Sequence, residues 1–121
     1  MDDRARKEAG RAGEAAALEH LQRAGLQLVR RNFRCKGGEI DLVMLDGATL
    51  VFVEVRYRSS EQFGGAAASV TWRKQRRLAN AAEYLLLAQR ELRRYPARFD
   101  VVAISAAPEY KINWIKHAFT V

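Results

Sequence analysis

Two stretches of the chain carry hydrophobic residues at helical spacing. Residues 7–24 are rich in alanine, with Leu18 and Leu21 on one side, and Gly25 ends the pattern. Residues 70–93 carry a longer apolar stripe formed by Leu78, Ala81, Ala82, Leu85 and Leu92. Because these positions recur every three or four residues, each stretch predicts a helix with one buried side.

Five further stretches are rich in β-branched and aromatic residues and predict strands, at residues 26–33, 39–45, 49–57, 98–105 and 112–119. Gly37 and Gly38 predict a turn, and the Gly/Ala/Ser-rich residues 59–69 predict a loop. The element order is therefore α-β-β-β-α-β-β. Helices before and after a run of strands favour an α/β fold, with a central mixed sheet flanked by helices.

The clearest hairpin signal is Asp46-Gly47-Ala48, between the second and third predicted strands. With Gly47 and Ala48 as the loop residues, one face becomes wholly apolar, pairing Ile40 with Val55, Leu42 with Val53 and Met44 with Val51. A slip of one residue would mix the two faces, so the pattern supports this register. Both faces are apolar near the turn, which predicts a buried position at the centre of the sheet.

The other face of this hairpin carries charge at the end far from the turn. There the register places Asp41 opposite Glu54, and Glu39 opposite Arg56. Facing carboxylates are destabilising unless a cation compensates them. Mg²⁺ is one solution, because it needs only one or two carboxylates besides water and phosphate oxygens. A salt-bridge network with Arg56, Arg58 or another arginine is the other solution.

Glu14 is a third candidate acid. It precedes Leu18 by four residues and Leu21 by seven, which places it on the inward stripe of the first predicted helix. Buried acids are usually paired or bound to a metal, so Glu14 could add an oxygen ligand, directly or through water. The alternative is a first-turn glutamate that interacts favourably with the helix dipole.

Composition narrows the class of protein. The chain has 121 residues, which fits one domain over residues 1–121, and we expect residues 1–7 to be frayed. The single cysteine, Cys35, excludes an internal disulfide, and His20 and His117 are too few and too scattered for a zinc finger. The sequence shows neither a signal peptide nor the roughly 18 apolar residues of a membrane span, so we expect a cytoplasmic protein.

The net charge of +7 favours an anionic partner, with nucleic acid ahead of a membrane surface or a ribosome-like scaffold. The candidate phosphate contacts are Arg73, Lys74, Arg76 and Arg77 in the second predicted helix, with Arg34 and Arg58 near the strands. Such residues hold a nucleic-acid backbone without reading its sequence, whereas a solvated helix face is the alternative. We expect Trp72 to cap the core rather than to stack on bases.

A set of short motifs follows in order along residues 8–105: Gly13-Glu14, Arg31-Asn32, Gly38-Glu39-Ile40-Asp41-Leu42, Phe52-Val53-Glu54-Val55-Arg56, Lys74 and Arg98-Phe99-Asp100-Val101-Val102. Together they resemble the YraN family of small bacterial proteins. That family is in turn similar to the restriction-endonuclease-like superfamily, notably to archaeal Holliday-junction resolvases. The resemblance implies a restriction-endonuclease-like core, and the resolvase likeness leaves a homodimer open.

The resemblance also implies a set of site residues. In the related proteins an acid lies on the first helix, an Asp on one strand and Glu-x-Lys on the next, which correspond here to Glu14, Asp41, Glu54 and position 56. This chain departs from that pattern, because it has Arg56 where the family usually has Lys. An arginine cannot act as a general base, although it can bind a phosphate or a developing negative charge. Lys74 is a candidate substitute amine, and a solvated helix residue is the alternative.

These observations predict a Mg²⁺- or Mn²⁺-dependent endonuclease acting on DNA, with a preference for branched or damaged structures. Asp41 and Glu54 are the expected metal ligands, supported by Glu14, while Arg56 stabilises the transition state. We expect Glu39 to orient Arg56, and Asp100 either to support the site or to have a purely structural role. The alternatives are a nucleic-acid-binding protein that keeps the fold without turnover, and a non-catalytic protein whose basic face binds an acidic partner.

Overall fold

The computed structural model describes residues 3–58, 70–106 and 109–120. Helix α1 (Asp3–Arg23) begins closer to the N-terminus than the alanine-rich pattern indicates. Helix α2 (Trp72–Ala88) ends earlier than predicted, because the chain turns at Gln89 and continues as a 3₁₀ helix, η1 (Arg90–Arg94). The predicted loop at 59–69 lies outside the described residues.

Five strands form one mixed sheet in the order β1-β2-β3-β4-β5. Their bounds are β1 (Gln27–Cys35), β2 (Gly38–Asp46), β3 (Thr49–Arg58), β4 (Ala97–Ser105) and β5 (Lys111–Phe119). Strands β3 and β4 are parallel and are connected through α2, whereas the other neighbouring strands are antiparallel. The predicted order α-β-β-β-α-β-β is confirmed.

Each helix covers one face of the sheet. On the α1 side, Ala17 and Leu21 pack in a cluster with sheet residues that include Leu42, Val53 and Ile104. On the α2 side, the predicted stripe packs against the other face in a cluster formed by Phe33, Ile40, Val43, Leu50, Phe52, Leu78, Ala81, Ala82, Leu85 and Leu92. The central strands are therefore buried from both sides, as the apolar hairpin pattern predicts. None of the helices that the structure describes is long and apolar enough to cross a bilayer.

The hairpin register is confirmed near the turn and is wrong beyond it. Paired residues run from Asp46–Thr49 to Leu42–Val53, with Gly47 in the turn at a φ of 60°. Ile40, which the register places on the face of Leu42, instead packs in the α2-side cluster with Val43. The alternation of side chains therefore breaks between these positions, at Asp41.

The same break occurs in the neighbouring strand at Asn32, whose φ is 50°. Arg31 pairs with Leu42 and Phe33 pairs with Ile40, so the described pairs of β1 and β2 skip Asn32 and Asp41. In a regular strand Arg31 and Phe33 would lie on one face. Here Arg31 contacts Glu14 of α1, while Phe33 packs in the α2-side cluster. The left-handed backbone at Asn32 therefore exchanges the two faces of the sheet.

Candidate active site

Asp41 and Glu54 lie where the pairing of β2 and β3 stops. The Oδ2 atom of Asp41 accepts a hydrogen bond from the backbone N–H of Val55 at 2.8 Å. Asp41 lines a cavity on the α1 side together with Glu14, whereas Glu54 lines a cavity on the α2 side together with Lys74. The described pairs of β2 and β3 end at Leu42–Val53, so the direct facing of Asp41 and Glu54 stays a prediction, although the two acids line different cavities.

The two carboxylates nevertheless influence each other. Burial raises the pKa of Glu54 to about 8, and the nearby charge of Asp41 contributes to this shift. Burial also raises the pKa of Asp41 to about 6, although the hydrogen bond from Val55 opposes the rise. Both values mean that the protein alone stabilises the negative charges poorly. A cation beside them would favour the ionised forms.

Glu14 lies well inside helix α1, so the alternative of a first-turn, dipole-stabilising residue is wrong. Its side chain is only 14% exposed, and its Oε1 atom lies 3.4 Å from Nη2 of Arg31. Its charge raises the pKa of Asp41, which shows that the two acids are neighbours. Among the described residues, no three His, Cys, Asp or Glu side chains form a group that could hold a metal ion. Metal binding by Asp41 and Glu54, and direct ligation by Glu14, therefore stay predictions.

The α1-side cavity is the larger, with a volume of about 880 Å³. It lies between the first half of α1 and the break in β1 and β2. Its lining residues are Lys7, Gly10, Arg11, Glu14, Arg31, Asn32, Arg34, Asp41, Val55 and Tyr57. Four of these side chains are cations and two are acids, so the walls are positive around an acidic site.

The α2-side cavity, of about 240 Å³, contains Glu54 and three cations of α2, namely Arg73, Lys74 and Arg77. Helix α2 begins beside it, with the Thr71 side chain accepting a hydrogen bond from the backbone N–H of Lys74 at 3.3 Å. The charge of Lys74 lowers the pKa of Glu54, ahead of the effect of Arg56. Lys74 is thus half-buried beside Glu54 rather than a solvated helix residue, as the substitute-amine hypothesis requires.

Gly38 explains how α2 comes so close to the strands. A Cβ atom at this position would lie only 2.0 Å from the backbone oxygen of Arg77, so no larger residue fits without moving the helix. Real Cβ atoms do not approach backbone oxygens this closely. Gly38, the first residue of β2, therefore sets the distance between α2, which carries Lys74, and the strands that carry Asp41 and Glu54.

The arginine that replaces the usual lysine lies beside the same acid. Nη1 of Arg56 is 3.8 Å from Oε1 of Glu54, and the Arg56 side chain is 23% exposed. Glu39, which the sequence predicts to orient Arg56, lies opposite Arg34 in the β1–β2 register. Its Oε2 atom forms an ion pair with Nε of Arg34 at 3.4 Å. The described pairs of β2 and β3 end at Leu42–Val53, so the pairing of Glu39 with Arg56 stays a prediction.

The predicted nucleic-acid contacts divide between the two cavities and the surface. Arg73, Lys74 and Arg77 line the smaller cavity, and Arg34 lines the larger one. Arg76 is exposed and lies 5.9 Å from the ring of Trp72. Trp72 is 75% exposed, so the expectation that it caps the core is wrong. The side chain of Arg58 lies outside the described residues.

Asp100 is fully buried, and its hydrogen bonds link the last two strands. It accepts bonds from Nε of Arg98 at 3.0 Å, from Nε1 of Trp114 at 2.9 Å and from the backbone N–H of His117 at 2.9 Å. His117 has a φ of 51°, and the β4–β5 register shifts between Phe99 and Val101. Asp100 therefore satisfies a bulge between β4 and β5, which favours the purely structural alternative.

Comparison with known proteins places the chain among its relatives. The sequence model of the family described as "Uncharacterised protein family UPF0102" matches residues 13–104. The chain belongs to UPF0102. This is the YraN family that the sequence motifs resemble, so that expectation is confirmed.

Similar UPF0102 proteins span almost the same length. A relative from Stutzerimonas stutzeri is 54% identical over 111 residues, covering 91% of this chain and 92% of the relative. A relative from Pseudomonas fluorescens strain Pf0-1 is 50% identical over 119 residues, covering 98% of both chains. A third, from Pseudomonas savastanoi pv. phaseolicola, is 51% identical over 121 residues, also covering 98% of both.

The UPF0102 match includes Glu14, Asp41, Glu54 and Arg56, whereas Lys7 and Arg11 precede it. Sequence reasoning did not identify Lys7, Arg11 or Tyr57 as site residues. Lys7 and Arg11 are one helical turn apart, but a cation pair on an exposed helix gives no signal of a cavity beside it. The break at Asn32 had a weak signal, because asparagine tolerates a left-handed backbone better than most residues.

Proposed function

We propose that this UPF0102 protein is a Mg²⁺- or Mn²⁺-dependent endonuclease that hydrolyses phosphodiester bonds in DNA. One observation carries the proposal: two partly buried acids with raised pKa values, Asp41 and Glu54, line two cavities that are also lined by cations. Acids in structural ion pairs usually have lowered pKa values, because their partners stabilise the negative charge, whereas the pKa values of Asp41 and Glu54 are raised. The family's likeness to restriction-endonuclease-like proteins adds support, and the single cysteine fits a cytoplasmic location.

The donor chemistry fits a hard divalent cation. Asp41 and Glu54 would hold the ion, and water and substrate phosphate oxygens would complete its coordination. When bound, the ion would polarise the scissile phosphate and favour ionised water as a nucleophile. Both carboxylates must lose their protons to act as ligands. The pKa of Glu54, about 8, makes its deprotonation the more demanding of the two.

The basic side chains around Glu54 would bind and stabilise the substrate. Arg56 stays charged at any working pH, so its role is to contact a phosphate oxygen and stabilise the charge that develops on it. Lys74 brings an amine to the same acid from the α2 side, which is the chemical group that the usual lysine would supply. Glu14 holds Arg31 at the floor of the larger cavity, where both can orient a strand beside Asp41.

The test is cleavage of linear, single-stranded and four-way-junction DNA during a Mg²⁺ or Mn²⁺ titration. Asp41→Asn and Glu54→Gln should each lower the cleavage rate by about 100-fold or more, because each removes a ligand charge. Glu19→Gln is the matched control, since Glu19 is an exposed acid that pairs with Arg23 on α1. Cleavage that persists in both site variants would show that the activity comes from elsewhere.

A nucleic-acid-binding protein without turnover is the second candidate, and the observation that favours it is Arg56 beside Glu54 at 3.8 Å. This candidate predicts salt-dependent DNA binding and no cleavage with either metal. The variant Arg56→Lys separates the two functions. If only Arg56→Lys cuts DNA, the natural chain is a binding protein, whereas cleavage by the natural chain supports the nuclease with Lys74 as its amine.

A further inference from the structure

Two cations of the larger cavity form no ion pair among the residues that the structure describes. Arg31 is paired with Glu14, and Arg34 is paired with Glu39, each at 3.4 Å. Lys7 and Arg11 are exposed and form no ion pair within residues 3–58, 70–106 and 109–120. They are separated by one turn of α1, so both point to the same side of the helix. Two available positive charges therefore face the cavity about one helical pitch apart.

An aromatic side chain completes the same cavity. Tyr57 of β3 lines it and is 38% exposed, although Tyr57 pairs with the buried Ile104 of β4. Its Cβ atom packs along α1 at Gly13, where an added Cβ would lie 3.6 Å away. A half-exposed ring beside cations is the combination that binds single-stranded nucleic acid, because bases stack on the ring while cations hold the phosphates.

We propose that this cavity binds an unpaired segment of nucleic acid, with phosphates along Lys7 and Arg11 and a base stacked on Tyr57. The inference rests on the proposed function in one respect, namely that the ligand is a nucleic acid. It goes further by naming the form of the substrate and its path, which passes Asp41 on the α1 side rather than following the α2 surface alone.

The shape of the site favours an unpaired strand over a duplex. At about 880 Å³ the cavity lies within the range of about 300–1,000 Å³ that is typical of pockets enclosing small ligands. It can therefore enclose a few nucleotides. In a duplex the bases are paired and stacked on one another, so a base can stack on Tyr57 only after it is unpaired, which costs free energy. An unpaired end, flap or junction arm presents both a base and a phosphate run at once.

Binding of fluorescein-labelled DNA to the full chain in EDTA tests the charge track. The probe is an oligothymidine of about 12 nucleotides, within the range of known single-strand site sizes. Lys7→Gln/Arg11→Gln should weaken binding by about tenfold and flatten the slope of log K against log salt by about 1.4, or 0.7 for each phosphate contact. The matched control is Arg4→Gln/Arg23→Gln, which removes the same charge from exposed positions of the same helix. We expect that control to change binding less than twofold and to keep the slope.

Tyrosine variants test the stacking platform. Tyr57→Leu should weaken oligothymidine binding by about tenfold, whereas Tyr57→Phe should keep it, because the ring and not the hydroxyl stacks. Tyr110→Leu is the control, since Tyr110 is 60% exposed before β5 and does not line the cavity. The proposal is overturned if the Lys7/Arg11 variant loses no more affinity than its control. It is also overturned if a blunt duplex of the same length binds as tightly as the single strand.

The outcome is separable from that of the proposed function, because EDTA prevents metal-dependent cleavage. If the binding results hold and the protein never cuts DNA with Mg²⁺ or Mn²⁺, the endonuclease proposal fails and this site stands. If Asp41 and Glu54 are needed for cleavage but the Lys7/Arg11 variant binds like its control, the endonuclease stands and the substrate path is wrong.

Discussion

Asn32 and Asp41 lie across from each other in β1 and β2, and the described strand pairs skip both. A left-handed residue in one strand exchanges the faces of its neighbours, so that Arg31 reaches Glu14 while Phe33 joins the opposite core. Asp41 then satisfies the Val55 amide with its side chain. These two facing irregularities thus position Asp41 and form part of the wall of the larger cavity. The backbone strain at Asn32 limits which residues that position accepts.

The backbone at Asn32 predicts a strict choice of residue. Asn32→Val should lower the free energy of unfolding by about 1–3 kcal/mol, because a β-branched residue is strained at a φ of 50°. Asn32→Gly should stay near the wild type, since glycine adopts this backbone freely. Urea unfolding of the two variants measures the difference. Equal stability of Asn32→Val and the wild type would contradict the role of the left-handed backbone.

The raised pKa of Glu54 predicts a stabilising substitution. At pH 7 the unfolded chain ionises Glu54, whereas the metal-free folded protein keeps this acid largely protonated, and this difference costs stability. Glutamine is neutral in both states, so Glu54→Gln should raise the free energy of unfolding by about 1–2 kcal/mol. Thermal and urea unfolding in EDTA measure this change. Glu19→Gln, at an exposed surface pair, should change stability by no more than about 0.5 kcal/mol. A less stable Glu54→Gln would mean that Arg56 and Lys74 stabilise the carboxylate by more than its burial costs.

At the scale of elements, the approach of α2 to the β1–β2 turn brings Lys74 to Glu54. The contact is between backbones, since Gly38 lies directly under the carbonyl of Arg77. The apolar stripe of α2 then fixes the rotation of the helix on the sheet. Helix α1 is rotated in the same way by Ala17 and Leu21, which directs Glu14 inwards. Each helix therefore presents its polar site residue as a consequence of how its apolar side packs.

The variant Gly38→Ala tests the helix contact. A Cβ atom 2.0 Å from the Arg77 oxygen forces α2 or the turn to move, so we expect a loss of about 2–4 kcal/mol in stability. Gly10→Ala is the comparison, because nothing lies within 4 Å of a Cβ there and alanine favours the helix, by up to about 1 kcal/mol. Denaturant unfolding of both variants measures the two changes in the free energy of unfolding. If Gly38→Ala is as stable as Gly10→Ala, the turn is not tightly packed against α2.

At the scale of the whole molecule, a mixed sheet between two helices divides the site into two cavities. The acids come from the centre of the sheet, and the cations come from α1, β1 and α2 around it. Asp100, which lines neither cavity, joins β4 to β5 through Arg98, Trp114 and His117. The cations that line the two cavities therefore surround the acids, which is an arrangement suited to holding a polyanion against a cation.

This charge arrangement predicts opposite effects of pH and of metal. The pKa values of Asp41 and Glu54 rise from 3.8 and 4.5 to about 6 and about 8 on folding, so the folded state binds more protons between these limits. Metal-free stability should therefore fall as the pH rises from about 5 to about 8. Mg²⁺ favours the ionised forms of both acids, so the rise in Tm that added Mg²⁺ causes should be larger at pH 8 than at pH 6.

Thermal unfolding with EDTA or Mg²⁺ across this pH range checks both trends. The variant Asp41→Asn/Glu54→Gln should show a flatter pH profile and little response to Mg²⁺, since it has no carboxylate left at the pair. A Mg²⁺-dependent rise in Tm that survives in this variant would place the metal at another group.

The sequence determined the order of elements, the helix stripes and the register next to the Asp-Gly turn. These features depend on local periodicity and turn chemistry, and the structure agrees from Asp46–Thr49 to Leu42–Val53. Only the tertiary structure decided that Asp41 lines the α1-side cavity and Glu54 the α2-side cavity. Alternation predicts sides only while the backbone stays regular, and the left-handed Asn32 breaks it. The meeting of Lys74 with Glu54 likewise depended on helix packing, because residues far apart in sequence carry no periodic signal of their contact.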